Sequence, residues 1–322
     1  MRIAITGGTG FAGRHLARAL VSEGHDVVLV ARGHDGRDTA LRNEARMRFV
    51  AAGITDAAAL TVAFEGCAAV AHFAGINREI GEQTYVRVHV EGTRAVIAAA
   101  RRAGVAKVVD LSFLRARPRC GSGYHESKWE AEEIVRGSGI DHTVLRASVL
   151  YGRGDHMLDH LSHAFHTFPV FPLIRTGQQR MRPVLIHDLV RVAAAALIGG
   201  RLSRETVAVL GPDELTLREA FARVARANRR KAFFIPTPLA AQYAFAWVFE
   251  RLMVVPLISI AQVRILSEGL VEPSAGASAL PADLAPRTPF TPDVIARELP
   301  EPGPFRLHDL RLFARERRVP VR

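Results

Sequence analysis

The chain has 322 residues, of which 48% are hydrophobic, enough for one large globular domain or two smaller ones. Its formal net charge is +11, but the basic residues are scattered and no aromatic-rich basic strand accompanies them, so we expect no nucleic-acid partner. Its two cysteines, Cys67 and Cys120, are too few for a disulfide framework and lack the spacing of a structural zinc site.

The N-terminal residues MRIAITGG enter a strand pattern at once. They lack the basic region, apolar run and cleavage site of a secretory signal, so we expect a cytoplasmic protein. Short apolar runs then alternate with helix-length segments: IAIT, DVVLVA, AVAHFA, KVVDLS and HTVLRAS are separated by stretches of helical pattern. This alternation predicts a doubly wound parallel sheet, a Rossmann-like α/β fold with helices on both faces.

After residue 151 the alternation weakens, and three prolines interrupt the chain before strand and helix patterns resume. We therefore predict two domains. A dinucleotide-binding domain comprises residues 1–150 with 184–210, and a smaller α/β domain for a substrate or partner comprises residues 151–183 with 211–322. A stretch around residue 280, SAGASALPADLAP, is typical of a loop.

The segment TGGTGFAG follows the first strand and opens the first helix. Gly7 permits a tight turn, Gly10 lets the backbone approach a pyrophosphate, and Gly13 allows the helix to pack closely on the strand. The N–H groups of the helix N-terminus then face the anion. This pattern in this context predicts a dinucleotide site.

The second strand indicates which dinucleotide binds. NAD-specific sites usually place a carboxylate about 20 residues after the glycines to hold the ribose 2′-hydroxyl. This chain has Ala31 there, followed by Arg32, whose guanidinium suits a 2′-phosphate. We therefore predict NADP(H) in preference to NAD(H), with a surface arginine at a strand end as the alternative.

In YHESK, Tyr124 and Lys128 are four residues apart, which places a phenol and an ammonium on neighbouring turns of a helix. With TGGTGFAG, AHFAG, YHESK and VLRASVLYG in this order, the chain resembles the extended or atypical branch of the short-chain dehydrogenase/reductase superfamily. The later segments GRGDHMLDHL, RPVLIHDLVRVAAAAL and PTPLAAQYAFAWVFERL resemble relatives of the NADPH-binding accessory subunit of respiratory complex I.

The resemblance implies roles for individual residues. It assigns to the cofactor the phosphate contacts Gly7, Thr9, Gly10, Phe11, Gly13 and Arg32, the adenosine contacts Ile54, Phe73, Ala74 and Gly75, and the nicotinamide contacts Tyr124, Lys128, Ala147, Ser148 and Val149. The resemblance implies only backbone contacts to adenine, because Gly53 stands before Ile54 where the family usually has Asp. In active relatives the tyrosine transfers a proton, the lysine favours the phenolate, and a serine orients the substrate carbonyl.

Besides Gly53, two further positions depart from the active pattern of the family. Phe113 aligns with the serine at the end of the fifth strand, which leaves Ser112 one place early and on the opposite face unless the strand ends or bulges there. His89 stands where active relatives have the asparagine of a proton relay. Tyr124, Lys128 and Ser112 are therefore the candidate catalytic residues, and we expect any turnover to be slow.

Two functions of different class remain open. One is an NADP-dependent oxidoreductase, or an epimerase or dehydratase that uses the cofactor transiently, acting on an oxygenated small molecule. The other is a non-catalytic NADPH-binding structural or assembly protein that docks on a partner such as a respiratory complex. Whether the protein is an enzyme is left open by the sequence, because Tyr124 and Lys128 favour the first function whereas Phe113 and His89 favour the second.

The apolar segment 239–260 is the only stretch worth testing as a membrane span. Its Glu250 and Arg251 would each cost about 2.5–3.5 kcal/mol in a bilayer, so we expect no span. Its apolar side chains fit either the core of the second domain or a docking face for a membrane surface or partner.

The histidines of residues 156–166 recur at helical spacing on one side of a predicted helix: His156, His160, His163 and His166. Imidazoles four residues apart can share a zinc ion. No HExxH motif or neighbouring glutamate supports a metal site. We predict a polar helix face without metal.

Overall fold

The computed structural model describes residues 1–33, 41, 43–253, 256, 258–299 and 304–305. The chain divides into two compact units. The first contains Met1–Ala147, Ile186–Val209 and Glu272–Ala285, and the second contains Ser148–Leu185, Leu210–Val271 and the chain from Pro286 onward.

The strands and helices follow one another along both units. In chain order the strands are β1 (Arg2–Thr6), β2 (Asp26–Ala31), β3 (Met47–Ala51), β4 (Ala69–His72), β5 (Lys107–Phe113), β6 (Asp141–Ala147), β7 (Leu150–Tyr151), β8 (Val170–Ile174), β9 (Arg180–Met181), β10 (Val184–Leu185), β11 (Glu205–Val209), β12 (Leu215–Thr216), β13 (Phe233–Thr237) and β14 (Ser278–Ala279). The helices are α1 (Phe11–Ser22), α2 (Ala57–Phe64), α3 (Gly92–Arg102), α4 (Gly123–Arg136), α5 (His156–Thr167), α6 (Ile186–Ile198), α7 (Leu217–Ala227), α8 (Leu239–Leu252), α9 (Ile260–Glu268) and α10 (Pro292–Glu298). A π-helical turn, Val86–Glu91, leads directly into α3.

The first unit is built on one eight-stranded sheet with the order β3-β2-β1-β4-β5-β6-β11-β14, parallel throughout. Its central strands are short runs rich in valine, isoleucine, leucine and alanine, and nearly every residue of β1, β2 and β4 is buried. Such runs are what a sheet covered on both faces requires. The predicted doubly wound Rossmann-like fold is confirmed.

Helices α2 and α3 cover one face of this sheet. Leu60 and Phe64 of α2 pack with Val96 of α3 and with Val70 and Val108 from the strands beneath. Each of these five side chains has no exposed surface. Burying a valine, leucine or phenylalanine side chain stabilises a fold by roughly 1.5–3 kcal/mol. This packing fixes α2 and α3 on the sheet.

The segment 272–285 joins the first unit, although the sequence predicted it as part of the second domain and partly as a loop. Its strand β14 pairs with β11, so that Val207 lies opposite Ser278 and Ala208 opposite Ala279. The Arg146 guanidinium also donates to the carbonyls of Ser274 and Ala275, each at 2.9 Å. Such a short edge strand has no hydrophobic periodicity, because both of its side chains are exposed.

The second unit combines three pairs of short strands with helices. β7 pairs with β10 and β8 with β13 in parallel, whereas β9 and β12 are antiparallel. Helices α5, α7, α8, α9 and α10 complete it. Helix α8 has 14 residues. Within the ranges that the structure describes, no helix is both long and apolar enough to cross a membrane.

A buried ion pair connects β6 to α4. Arg146 of β6 donates to Glu132 of α4 at 2.6 Å, and the two side chains are 2% and 0% exposed. Arg136 approaches the same carboxylate at 3.1 Å. Removing one member of a buried pair leaves an uncompensated charge, whereas replacing both by apolar groups is often tolerated.

We expect Arg146→Met to lower the free energy of unfolding by about 3 kcal/mol, because Glu132 then stays buried with Arg136 as its remaining cation. The double variant Arg146→Met with Glu132→Met should recover part of that loss. Urea unfolding of wild type, both single variants and the double variant measures the coupling. Additive losses in the double variant would show that the pair contributes no specific interaction.

Candidate dinucleotide site

The glycine loop after β1 packs directly on the segment after β4. Gly7 has φ +67°, and a Cβ there would lie 2.8 Å from the Ala74 Cα and 2.9 Å from the Phe73 carbonyl oxygen. A side chain at Gly13 would collide with the Gly7 carbonyl. Only glycine permits both approaches. The structure thus brings the predicted phosphate loop and the predicted adenosine segment together.

Helix α1 begins at Phe11, with Gly10 as its N-cap and no side chain capping its first turn. Its first N–H groups therefore lie at the carboxyl end of β1 without a side-chain acceptor, which is the arrangement that binds a phosphate. Thr9 is buried within the loop. The Phe11 ring packs edge-on against His15, with ring centroids 5.5 Å apart.

Arg32 follows the end of β2 and is exposed. With the other residues that the structure describes it forms no ion pair, so its guanidinium is available to an anion. Ile54 lies beyond β3 and packs against Gly92. A Cβ on Gly92 would lie 3.0 Å from the Ile54 Cγ1 atom. Gly53 faces open space, because a Cβ there would have no atom within 4 Å. These positions are compatible with the predicted contacts to the adenosine half.

Tyr124 lies in the first turn of α4 inside a cage of rings. The centroids of Tyr85, His89, Phe113 and His125 lie 5.3–5.9 Å from its own. The side chain is buried, and burial, with a smaller contribution from Tyr85, raises the pKa of its phenol well above the usual value. A phenol in this environment holds its proton firmly at neutral pH.

Lys128 lies one turn further along α4. Its ammonium donates to the Leu111 carbonyl at 2.9 Å. A Cβ on Gly75 would lie 3.4 Å from its Nζ, which places the ammonium beside the segment after β4. Burial lowers the pKa of the lysine, while the carboxylates of Asp110 and Glu132 oppose that shift. The amino group is therefore held by the backbone and by charge, and its contact with a nicotinamide ribose stays a prediction.

Asp110, in the middle of β5, was not predicted as a site residue. It is 3% exposed, and its Oδ2 has no hydrogen-bond partner among the described residues. Burial raises the pKa of its carboxyl to about 7, and the Lys128 charge only partly offsets that shift. The sequence carried a sign of it, because an acid inside the apolar run KVVDLS needs a partner in the interior.

His89 lies in the π-helical turn and is fully engaged. Its Nε2 accepts from the Ile76 N–H at 3.1 Å, so its Nδ1 carries the proton and donates to the Ser127 hydroxyl at 2.9 Å. That hydroxyl donates in turn to the Tyr124 carbonyl. Burial first, and Lys128 second, lower the pKa of His89 well below its usual value. The neutral imidazole therefore connects the segment after β4, through Ile76, to α4, through Ser127.

His72, at the end of β4, is a second buried imidazole that the sequence did not single out. Thr93 donates to the His89 carbonyl at 2.5 Å, so its oxygen accepts from His72 Nε2 at 2.9 Å. The Nδ1 atom of His72 then accepts from the Thr6 hydroxyl at 2.7 Å. Burial lowers the pKa of this imidazole to about 3. The chain of contacts ties the end of β1 to the helix that carries His89.

The structure does not bring Ser112 to the site. β5 pairs with β6 in unbroken register through Phe113, so the bulge that a catalytic Ser112 needed is absent from this strand. The Ser112 hydroxyl instead donates to Glu132 at 2.5 Å. Phe113 occupies the place beside Tyr124, with ring centroids 5.3 Å apart. The predicted catalytic triplet is thus reduced to Tyr124 and Lys128.

The predicted nicotinamide segment begins at Ala147, the last residue of β6, and continues into the second unit. The Ser148 hydroxyl donates to the Leu270 carbonyl at 3.2 Å, and the Val149 carbonyl accepts from the Val184 N–H at 2.8 Å. Both residues are therefore anchored by structural hydrogen bonds. Their contact with a nicotinamide stays a prediction.

The histidines of α5 make separate contacts. His163 approaches Asp159 at 3.5 Å, and His166 Nδ1 lies 2.8 Å from the Ser162 carbonyl. The side chain of His156 falls outside the described part of the chain. Over the ranges that the structure describes, no group of three or more histidine, cysteine or acidic side chains is arranged to hold a metal ion.

Three features together fit a dinucleotide. They are the glycine turn after β1 of a parallel sheet, a tyrosine and a lysine one helical turn apart, and the exposed Gly75 beside the lysine. The family model "NAD dependent epimerase/dehydratase family" matches residues 3–207. The chain belongs to this family, the extended short-chain dehydrogenases/reductases, and its dinucleotide binding follows from that membership.

Curated relatives include a reductase and a respiratory subunit. The chain is 33% identical over 198 residues to a ceramide reductase of Caulobacter vibrioides, covering 61% of the chain and 59% of the relative. It is 25% identical over 248 residues to the rat mitochondrial NADH dehydrogenase [ubiquinone] 1 alpha subcomplex subunit 9, covering 76% and 65%. An uncharacterized Mycobacterium tuberculosis protein is 28% identical over 267 residues, 82% of this chain and 27% of that protein. The chain thus spans less than two thirds of these relatives.

Solved structures share the fold. The NADPH-dependent quinone oxidoreductase QOR2 from Escherichia coli, complexed with NADPH, has a TM-score of 0.70 at 22% identity, covering 91% of this chain and 98% of that one. The UDP-glucuronic acid 4-epimerase from Bacillus cereus, in complex with UDP-glucuronic acid and NAD, has a TM-score of 0.67 at 19% identity, covering 92% and 98%. The fold therefore accommodates either dinucleotide.

We expect Asp110→Asn to change how stability depends on pH. The carboxyl has a pKa of about 7 in the folded protein, above its ordinary value of 3.8, so its stabilising contribution is complete below pH 4 and is lost as the pH rises through 7. The variant should therefore gain stability relative to wild type between pH 5 and pH 8. Urea unfolding at both pH values, with Asp56→Asn as an exposed control, measures this. A pH-independent difference would contradict the raised pKa.

Proposed function

We propose that the protein is an NADP(H)-binding oxidoreductase with slow turnover on a carbonyl or alcohol substrate. The observation that carries this proposal is the geometry of Lys128, which lies beside Gly75 and one helical turn from Tyr124. Arg32, which replaces the acid of NAD-specific sites, supports the phosphorylated cofactor. The similarity to a ceramide reductase supports reduction over epimerisation.

When bound, the nicotinamide would supply or accept hydride. Lys128 would bind the hydroxyls of its ribose through the ammonium hydrogens not used by the Leu111 carbonyl. The Tyr124 phenol would donate the proton to the substrate oxygen, since its raised pKa keeps it protonated at neutral pH. Donation leaves a phenolate, which the same burial disfavours, so the raised pKa is consistent with slow proton transfer.

The slow rate follows from the residues beside the phenol. At the position beside Tyr124 where active relatives have a serine, the structure has Phe113, and the Ser112 hydroxyl donates to Glu132. Losing one preorganised hydrogen-bond donor to a reacting oxygen costs roughly 100- to 1000-fold in rate. His89 is neutral and fully hydrogen-bonded, which makes it a poor proton relay.

A second candidate function is binding without turnover, in which NADPH stabilises a protein that docks on a partner such as a respiratory complex. The closed ring cage around Tyr124 favours it, as does the similarity to the rat respiratory subunit. Such a protein would keep Lys128 for the ribose and would have no use for a phenolate. A cytoplasmic location stays a prediction from the sequence in both cases.

The cofactor preference is tested with Arg32→Ala. We expect the variant to lose at least about 10-fold in NADP(H) affinity, because a charge-assisted hydrogen bond to phosphate contributes about 1.5–3 kcal/mol. Affinity for NAD(H), which lacks that phosphate, should change little. Arg48→Ala, an exposed arginine on the adjacent strand β3, is the matched control. Titration of both cofactors onto apo protein decides, and equal losses for the two cofactors would remove the assignment.

The two functions are separated by Lys128→Ala and Tyr124→Phe. We expect Lys128→Ala to reduce the rise in melting temperature on adding NADPH, since ligands that bind the folded state stabilise it. Tyr124→Phe, which keeps the ring inside its cage, should leave that rise nearly unchanged. A carbonyl-substrate screen then follows NADPH oxidation. Turnover above about 10 per second, typical of ordinary enzymes, that is abolished in Tyr124→Phe would show a fully competent catalyst.

A further inference from the structure

Helix α8 in the second unit has its polarity reversed. Its buried residues are Gln242 and Ala246, whereas Phe245, Trp247 and Leu252 are 41%, 50% and 47% exposed. An amphipathic helix normally buries its apolar face and leaves its amides to solvent. The reversal places a polar amide inside the unit and large apolar side chains outside it.

Gln242 lines a cavity of about 260 Å³ that lies wholly within the second unit. Helices α5, α7, α8 and α9 and strand β8 contribute its walls, which are mainly apolar and include Leu161, Ala164, Phe171, Phe221, Phe249 and Leu266. Gln242 is 2% exposed, and its Nε2 has no hydrogen-bond partner among the described residues. A buried donor of this kind destabilises the protein until an acceptor reaches it.

The mouth of the cavity is apolar as well. Phe168, Val170 and Phe245 line the cavity and are also 47%, 44% and 41% exposed. Strand β13, which pairs with β8, adds Phe233 at 68% exposure and Ile235 at 53%. Contiguous exposed apolar surface of this kind marks a binding site rather than an ordinary solvated face.

We propose that this cavity binds the alkyl chain of a single-chain amphiphile, whose carbonyl or hydroxyl oxygen accepts a hydrogen bond from Gln242 Nε2. Such a ligand removes both unfavourable features at once, because its chain covers apolar walls and its oxygen satisfies the buried amide. The site goes beyond the dinucleotide site, because every lining residue belongs to the second unit.

The volume and the lining of the cavity favour an alkyl chain over a compact ligand or a protein segment. The cavity falls below the roughly 300–1,000 Å³ of sites for drug-sized molecules, so it suits a slender chain. The lining is mainly apolar, and Phe168, Val170 and Phe245 extend it to the exposed surface, as a chain that enters from solvent requires.

The test is isothermal titration of the full-length protein with monodecanoylglycerol below its aggregation concentration. Monobutanoylglycerol, which has the same headgroup and a short chain, is the matched ligand control. We expect one-to-one binding of the decanoyl compound and at least about 10-fold weaker binding of the butanoyl compound, because apolar burial increases with each methylene.

Two variants locate the site. Ala164→Phe fills the cavity from α5, so it should lower decanoyl affinity at least about 10-fold while leaving NADPH binding unchanged. Gln242→Leu removes the donor, so it should lower affinity about 2- to 10-fold and raise the melting temperature of the unliganded protein. Gln178→Leu, at an exposed position of the same unit, should change neither property.

The outcomes are distinct even if one variant fails to fold. Binding that does not depend on chain length, or Gln242→Leu protein that binds as wild type, would overturn the proposal. So would an absence of binding combined with concentration-dependent self-association that Phe245→Ser abolishes, because the apolar surface would then bind a second copy. Loss of NADPH turnover does not bear on any of these readouts, so failure of the proposed function is recognised separately.

Discussion

The buried contact between Glu132 and Arg146 fixes the arrangement of the site. Arg146 is almost completely buried, and besides Glu132 it donates to the carbonyls of Ser274 and Ala275, which holds the edge strand β14 on the sheet. Glu132 in turn accepts the Ser112 hydroxyl. A buried carboxylate needs every available donor, since unmet acceptors in the interior are costly. The serine next to the family's catalytic position is therefore committed to structure, and the ring of Phe113 meets Tyr124 instead.

The polar groups around Tyr124 serve binding more than proton transfer. His89 and His72 are neutral, and each uses both ring nitrogens in hydrogen bonds. His72 connects Thr6 of β1 to Thr93 of α3. His89 connects Ile76, after β4, to Ser127 of α4. Lys128 lies within this framework and donates to the Leu111 carbonyl, and burial raises the pKa of the Asp110 carboxyl to about 7. The framework therefore positions the amino group of Lys128 firmly, whereas among the described residues no side chain donates a hydrogen bond to the Tyr124 phenol that would stabilise a phenolate. Geometry thus supports cofactor binding more strongly than rapid chemistry.

The sequence predicts what local patterns encode. Apolar runs and the glycine spacing of TGGTGFAG were sufficient for the parallel sheet, because strand burial and the turn after β1 depend on residues close in sequence. β14 was missed, since a two-residue strand with exposed side chains carries no periodicity. The partners of Asp110 and Ser112 lie 18 or more residues away, on α4. The sequence showed that Ser112 lies one residue before the family's serine position, which puts it on the opposite face of the strand. That its hydroxyl donates to Glu132 could be seen only in the folded structure.

Segment 239–260 shows where a sequence pattern leaves two interpretations open, with a core helix favoured over a docking face. Its high apolar content fits a core helix or a docking face, and periodicity cannot separate them because apolar residues occur all round the helix. The structure divides the helix between both: Ala246 is buried, while Trp247 and Leu252 face outward. The decisive residue is the polar one, since among the described residues the buried Gln242 amide has no acceptor. Natural sequences break such local rules mainly at functional or strained sites. The buried amide is therefore the feature that turns an apolar cavity from a packing defect into a binding site for a chain that carries an oxygen.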